Sequence, residues 1–128
     1  MARLTVLDAS IVLAHLDDTD PHTEAAETIL AEADELAAST ITLAEVLVGA
    51  ARVGRLDEQL EALSVLKIRE VPVERGAAAQ LARLRAETGL RLPDCCVLYA
   101  AVMAGADALA TRDERLSREA AARGLETP

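Results

Sequence analysis

Short apolar runs alternate along this chain with longer stretches of helical periodicity. The runs at 3–8, 36–39, 68–71 and 107–110 read as strands, and the stretches 10–16, 21–33, 43–52, 56–66, 74–88, 94–104 and 114–123 as helices. Strand and helix taking turns predict a mostly parallel sheet covered on both faces, an α/β class of fold. Punctuation supports the boundaries. Asp20-Pro21 reads as an N-cap followed by proline at the first helical position. Thr42-Leu43-Ala44-Glu45 has capping-box spacing. Gly54, Gly89 and Gly105 follow helical runs and fit helix stops. In the helix at 56–66, Leu56, Leu60, Leu63 and Leu66 share a face, which reads first as core and second as a partner surface.

Composition narrows this picture. The 128 residues are expected to form one domain over 1–128, and at 52% hydrophobic they can build a core. No stretch is apolar enough to span a membrane, and the chain opens on a strand pattern without a basic-then-apolar leader, so a cytoplasmic protein is expected. The formal net charge is −9. That is unusual for a protein that binds nucleic acid through a basic face, unless bound cations offset it locally. It also suits a basic protein partner. The basic residues are all arginine except Lys67. Phe and Trp are absent and Tyr99 is the one tyrosine, so base stacking on aromatic platforms is nearly unavailable. Cys95 and Cys96 are adjacent, which disfavours both a bridge between them and a zinc site. They read as buried thiols.

The candidate chemistry lies in four acids. Asp8 closes the run Leu4-Thr5-Val6-Leu7; Glu45 lies in the first turn of a predicted helix; Asp94 follows Leu92-Pro93; Asp113 comes just after Ala108-Leu109-Ala110. In a parallel sheet all of these places fall on one edge, where strand carboxyl ends meet helix amino ends. Converging carboxylates are what a hard dication such as magnesium requires. Singly, each acid has a plain reading: Glu45 as capping partner of Thr42, Asp94 beside a helix dipole, Asp113 as a cap. Asp8 is harder to dismiss, because a charge between an apolar strand and an apolar helix is costly without partners.

The stretches Leu7–Ser10 (LDAS), Thr42–Arg52 (TLAEVLVGAAR), Leu92–Ala101 (LPDCCVLYAA) and Ala110–Leu116 (ATRDERL) resemble, in order and interval, the four motifs of PIN-domain nucleases, most of all VapC-type toxins of bacterial toxin–antitoxin pairs. The resemblance runs over essentially the whole chain. It implies a three-layer α/β/α PIN-like fold with a short central parallel sheet, and magnesium- or manganese-dependent endoribonuclease activity leaving 5′-phosphate and 3′-hydroxyl ends. It places Asp8, Glu45, Asp94 and Asp113 at the catalytic acidic positions. Asp8, Asp94 and Asp113 would serve as metal ligands and Glu45 would activate water. Ser10 and Thr111 match small hydroxyl positions expected to orient carboxylates or water. A cognate antitoxin over or near the acids and a homodimer are likewise implied. The aromatic often found shortly after the last acid is replaced by Leu116, a difference expected to bear on packing. Arg52, Arg91, Arg112 and Arg115 neighbour the motifs and are candidate RNA contacts.

Other readings keep the acids but change the chemistry. A phosphatase of the haloacid-dehalogenase type would use an Asp after the first strand, but it requires a second Asp where Ser10 stands and a lysine after a later strand. A receiver-like signalling module needs an acidic pair at the first strand end and a lysine after the last, where Arg112 stands. A housekeeping RNA-processing nuclease differs from a toxin only in its role. His15 and His22 lie outside the motifs and carry no assigned role.

Overall fold

A computed structural model describes residues 2–128. Its strands are β1 (Leu4–Leu7), β2 (Glu35–Ser39), β3 (Arg69–Val71) and β4 (Ala108–Ala110). They form one parallel sheet in the order β3-β2-β1-β4. Seven helices connect and flank them: α1 (Ala9–Leu16), α2 (Thr23–Glu32), α3 (Thr40–Arg52), α4 (Leu56–Leu66), α5 (Ala77–Thr88), α6 (Leu92–Ala104) and α7 (Glu114–Ala122). The predicted alternation, parallel sheet and three layers are therefore present.

Pleating sends alternate strand residues to opposite layers. Leu4, Val6, Ala37 and Leu109 join the core beneath α5, α6 and α7, with Leu98, Val97, Leu116 and Ala120. Leu7, Leu36 and Ala110 face the other core, with Ile11, Val12, Ala26 and Val46 from α1, α2 and α3. Because β1 is central and both its faces are covered, it is buried end to end. Helix α6 is buried without interruption from Cys95 to Ala101, as a helix with sheet on one side and helices on the other must be. Both cysteines are free and buried there. The carboxyl-terminal residues guard the β4 edge: Leu109 N–H donates to Glu126 O at 2.9 Å, and Glu126 N–H to Asp107 O at 3.0 Å.

Three local expectations are corrected. The helix predicted from residue 21 begins at Thr23, and Asp20 instead accepts the His22 N–H at 2.7 Å, closing a turn before the helix. The helix carrying Glu45 begins at Thr40 with Ser39 as its cap, the Ser39 hydroxyl accepting the Ile41 N–H at 3.2 Å. Thr42 is fully buried and caps nothing, so there is no capping box. The leucine face of α4 is only half used. Leu63 and Leu66 pack against the core, while Leu56 and Leu60 remain exposed beside Val53, at 69%.

Leu109 lies fully buried on β4. Leu109→Ala is expected to cost about 3 kcal/mol, through lost burial and the cavity left behind. A urea titration should show the midpoint fall with little change in slope. A cost below about 1 kcal/mol would mean that the layer collapses around the gap.

Candidate functional site

The sheet steps from β1 outward to β2 and β3, then returns to place β4 on the far side of β1. Order therefore reverses between β1 and β4, and the crevice at their carboxyl ends is where such folds bind ligands. Asp8 stands at the end of β1 and Thr111 at the end of β4. The Asp8 N–H still donates to Ala110 O at 3.0 Å, so the ladder runs up to the site.

Asp8 is 8% exposed, and its carboxylate is hydrogen-bonded from several sides. As N-cap of α1 it accepts the Ala9 N–H at 2.8 Å on Oδ1. On Oδ2 it accepts the Thr111 hydroxyl at 2.6 Å and the Ser10 hydroxyl at 3.2 Å. Each hydroxyl also receives a backbone N–H from the loop after β4. Asp113 N–H donates to Thr111 Oγ1 at 3.0 Å, and Arg112 N–H to Ser10 Oγ at 3.1 Å. The two small hydroxyls thus fix a buried charge and tie the β1 end to the β4 loop.

Asp113 caps α7, its Oδ1 accepting the N–H groups of Arg115 and Leu116 at 2.9 and 3.1 Å. Asp94 lies in the first turn of α6, behind Pro93. Glu45 is an exposed residue of α3, with no capping duty. All four predicted acids gather around the crevice closely enough to feel one another. Although the residue as a whole is exposed, partial desolvation of its carboxyl in the crevice, then the charges of Asp8 and Asp94, raise Glu45 above its ordinary range, while Arg91 opposes the shift. Burial, then Asp8 and Asp113, raise Asp94, opposed by Arg91 and Arg115. The exposed arginines Arg91, Arg112 and Arg115 surround the acids; Arg52 lies about 10 Å beyond Glu45 along α3.

Among the described residues, no three acidic, histidine or cysteine side chains already converge tightly enough to grip an ion by themselves. The donor set is nonetheless oxygen throughout, on one edge of one sheet. Magnesium keeps several of its waters and takes one or two carboxylates directly, so a spaced acid set fits it better than a close cage would. Lys67 ends α4 just before β3, at the opposite edge of the parallel sheet from Asp8. It cannot serve a phosphorylated aspartate there, which removes the residue that the phosphatase reading needed.

The sequence did not point to Arg118. With Thr111, Arg112, Asp113, Glu114 and Ser117 it lines a cavity of about 390 Å³ beside the acids. Helical spacing one turn beyond Glu114 was its only signal. Leu116, standing where an aromatic is common, is fully buried in the core.

Four acids at the carboxyl edge of a parallel sheet, around its topological switch point, define the class as a three-layer α/β protein with an acidic crevice. The PIN domain family model matches residues 5–122, and the chain belongs to that family. A chain of a toxin–antitoxin complex from Klebsiella pneumoniae is 27% identical, with TM-score 0.69 over 85% of this chain and 86% of that one. The Mycobacterium tuberculosis toxin VapC20, described as cleaving the sarcin–ricin loop, superposes with TM-score 0.74 at 16% identity, covering 90% of this chain and 94% of its own. FitAcB from Neisseria gonorrhoeae gives TM-score 0.74 at 21% identity, covering 96% and 95%. The last two speak for the fold. No curated protein matches the sequence.

The raised carboxyls fix the sign of a pH effect. Unfolded, Glu45 titrates near about 4.3. Its folded value lies higher, so its contribution to stability is present below that value and is lost as pH rises through the folded one. Glu45→Gln should therefore raise the melting temperature of metal-free protein at pH 7, make little difference near pH 4, and gain less at high salt. A lower melting temperature at pH 7 would refute the repulsion.

Proposed function

We propose that this chain is a metal-dependent endoribonuclease acting as the toxin of a toxin–antitoxin pair in the cytoplasm. The observation that carries the reading is the convergence of Asp8, Glu45, Asp94 and Asp113 on the switch-point crevice of a PIN fold. The likeness to a toxin–antitoxin chain supports the role.

A dication, Mg²⁺ or alternatively Mn²⁺, would supply neutralisation of phosphoryl charge and a more acidic water. Asp8, Asp94 and Asp113 are the residues to hold it. Asp8 brings a carboxylate already oriented by Ser10 and Thr111. Glu45 is exposed and has no capping duty, and its raised proton affinity suits it to take the proton of the attacking water. Arg91, Arg112 and Arg115 would meet the RNA backbone. With Tyr99 buried and its hydroxyl accepting the Glu74 N–H at 3.2 Å, no aromatic is free to stack on a base, and backbone and shape must guide recognition.

The partner surface follows from the half-used leucines. Val48 on α3, Val53 just after it, and Leu56 and Leu60 on α4 expose apolar area. Ile41, Glu45 and Val48 lie on one stripe of α3, so an antitoxin seated on the apolar residues would also cover a catalytic acid. Exposed Val102 and Met103 on α6 offer apolar area for a homodimer. Among the described residues, no helix is long and apolar enough to cross a membrane. A housekeeping nuclease of the same fold would share the chemistry but not the need for an inhibitor.

Incubation with total RNA and magnesium should yield discrete cuts with 5′-phosphate ends, abolished by chelation. Asp8→Asn and Asp94→Asn should each lower the rate by at least about 100-fold while the circular dichroism spectrum stays unchanged. Parent-level cleavage by both variants would overturn the site. Growth arrest on expression, relieved by Asp8→Asn, separates toxin from housekeeping enzyme.

A further inference from the structure

A second cavity, of about 350 Å³, lies at the amino edge of the sheet, away from the crevice. Its walls come from the carboxyl ends of α2 and α4 and from the starts of β1, β2 and β3. That volume is within the range of small-molecule sites. Leu4 lines it about 13 Å along β1 from Asp8, so the cavity and the acids are separate places.

The lining combines three chemistries. Leu30, Leu36 and Leu66 give it an apolar wall; all three are only partly buried, with their inner sides against the core. Lys67 and Arg69 bring two cations, and Glu35 brings an acid. None of these three enters an ion pair among the described residues, although Arg3, Arg55 and Arg123 do so elsewhere. Asp34, also in the lining, is already engaged: its Oδ2 accepts the Arg3 N–H at 2.6 Å.

Two backbone features add to the polarity of the cavity. Every other described helix ends with its cap N–H bonded back into the last turn, but that of α2 makes no such bond. The last carbonyls of α2 thus stay open beside the cavity, and a helix carboxyl end attracts positive charge. Lys67 caps α4 at φ 53°, the one described residue other than glycine with positive φ. Glycine takes that conformation without strain. A lysine holds it at a conformational cost, and strain of this kind gathers at ligand sites.

We propose that this cavity binds a free α-amino acid with an aliphatic side chain. Its carboxylate would meet Lys67 and Arg69. Its ammonium would meet Glu35 and the open carbonyls of α2. Its side chain would cover the three leucines. A simple carboxylate would leave Glu35 and the helix end unmatched, and a simple amine would leave the two cations unmatched. A zwitterion with an apolar tail matches all of them. The site is independent of the ribonuclease reading, and its test needs no RNA.

The test is isothermal titration of the full chain with L-leucine. Binding with a Kd below about 1 mM is expected. Leucinamide, which lacks the carboxylate, and N-acetyl-leucine, which lacks the ammonium, should each bind at least about tenfold more weakly. Glycine, with both charges and no side chain, should bind more weakly still. Lys67→Gly with Arg69→Gln should lower leucine affinity by at least about tenfold, and Arg69→Gln alone should lower it in the same direction. Lys67→Gly relieves the backbone, so its melting temperature should not fall. Arg83→Ala, an exposed control on α5, should leave leucine binding unchanged. No binding of L-leucine at about 10 mM would overturn the proposal. Parent affinity in the double variant would overturn it as well, as would N-acetyl-leucine or leucinamide binding as tightly as leucine.

Discussion

A buried carboxylate has to be hydrogen-bonded where it stands, and the arrangement of the crevice follows from how Asp8 meets that demand. Its oxygens take one N–H from its own helix and two hydroxyls, Ser10 from α1 and Thr111 from beyond β4. Charge-assisted bonds of this kind are stronger than neutral ones, and here they span the point where strand order reverses. The hydroxyls pass the constraint on, because each also accepts an N–H from the loop that leads to Asp113. One charged group therefore fixes the relative placement of two motifs more than 100 residues apart in sequence.

The remaining acids are fixed differently. Asp94 and Asp113 occupy helix starts, where the backbone dipole favours negative charge, and Glu45 rides on an exposed helix face. Their repulsion is opposed by Arg91 and Arg115 without being cancelled by direct pairing. Like charges thus remain gathered there without direct partners, which is what raises the Glu45 and Asp94 carboxyls after burial. Clusters of perturbed proton affinity of this kind concentrate at functional sites.

Much of this was legible from sequence because period and punctuation are local. The strands fall within a residue or two of their predicted places, and Asp8 announced itself as a charge between two apolar segments. Errors came where two local signals competed. Thr42 and Glu45 had capping-box spacing, but Ser39 at the end of β2 already presents an extended backbone and a hydroxyl, so the helix starts earlier. That removes the plain structural reading of Glu45. Likewise Asp20 closes a turn rather than starting a helix. The leucines of α4 obey helical period but lie outside α3, too far out to be fully buried. The Arg115 approach to Gly89 has no sequence signal, since it joins α7 to a turn between two other helices.

The sheet itself offers little intrinsic strand preference. Ala37, Ala38, Ala108 and Ala110 are fully buried on β2 and β4, although alanine is a poor strand former. Such strands persist because small side chains let helices approach closely and because tertiary burial, more than propensity, decides. Helix α6 is the counterpart of this choice. Its uninterrupted buried stretch from Cys95 to Ala101 packs against the sheet and against α3 and α5. Asp94 and Arg91 sit at its head, so the same close packing that stabilises a weak sheet also sets where an acid and its opposing cation stand. In a chain without Phe or Trp, one helix thus joins the core beneath the sheet to the placement of Asp94 at the crevice, so loosening its packing would also move that acid.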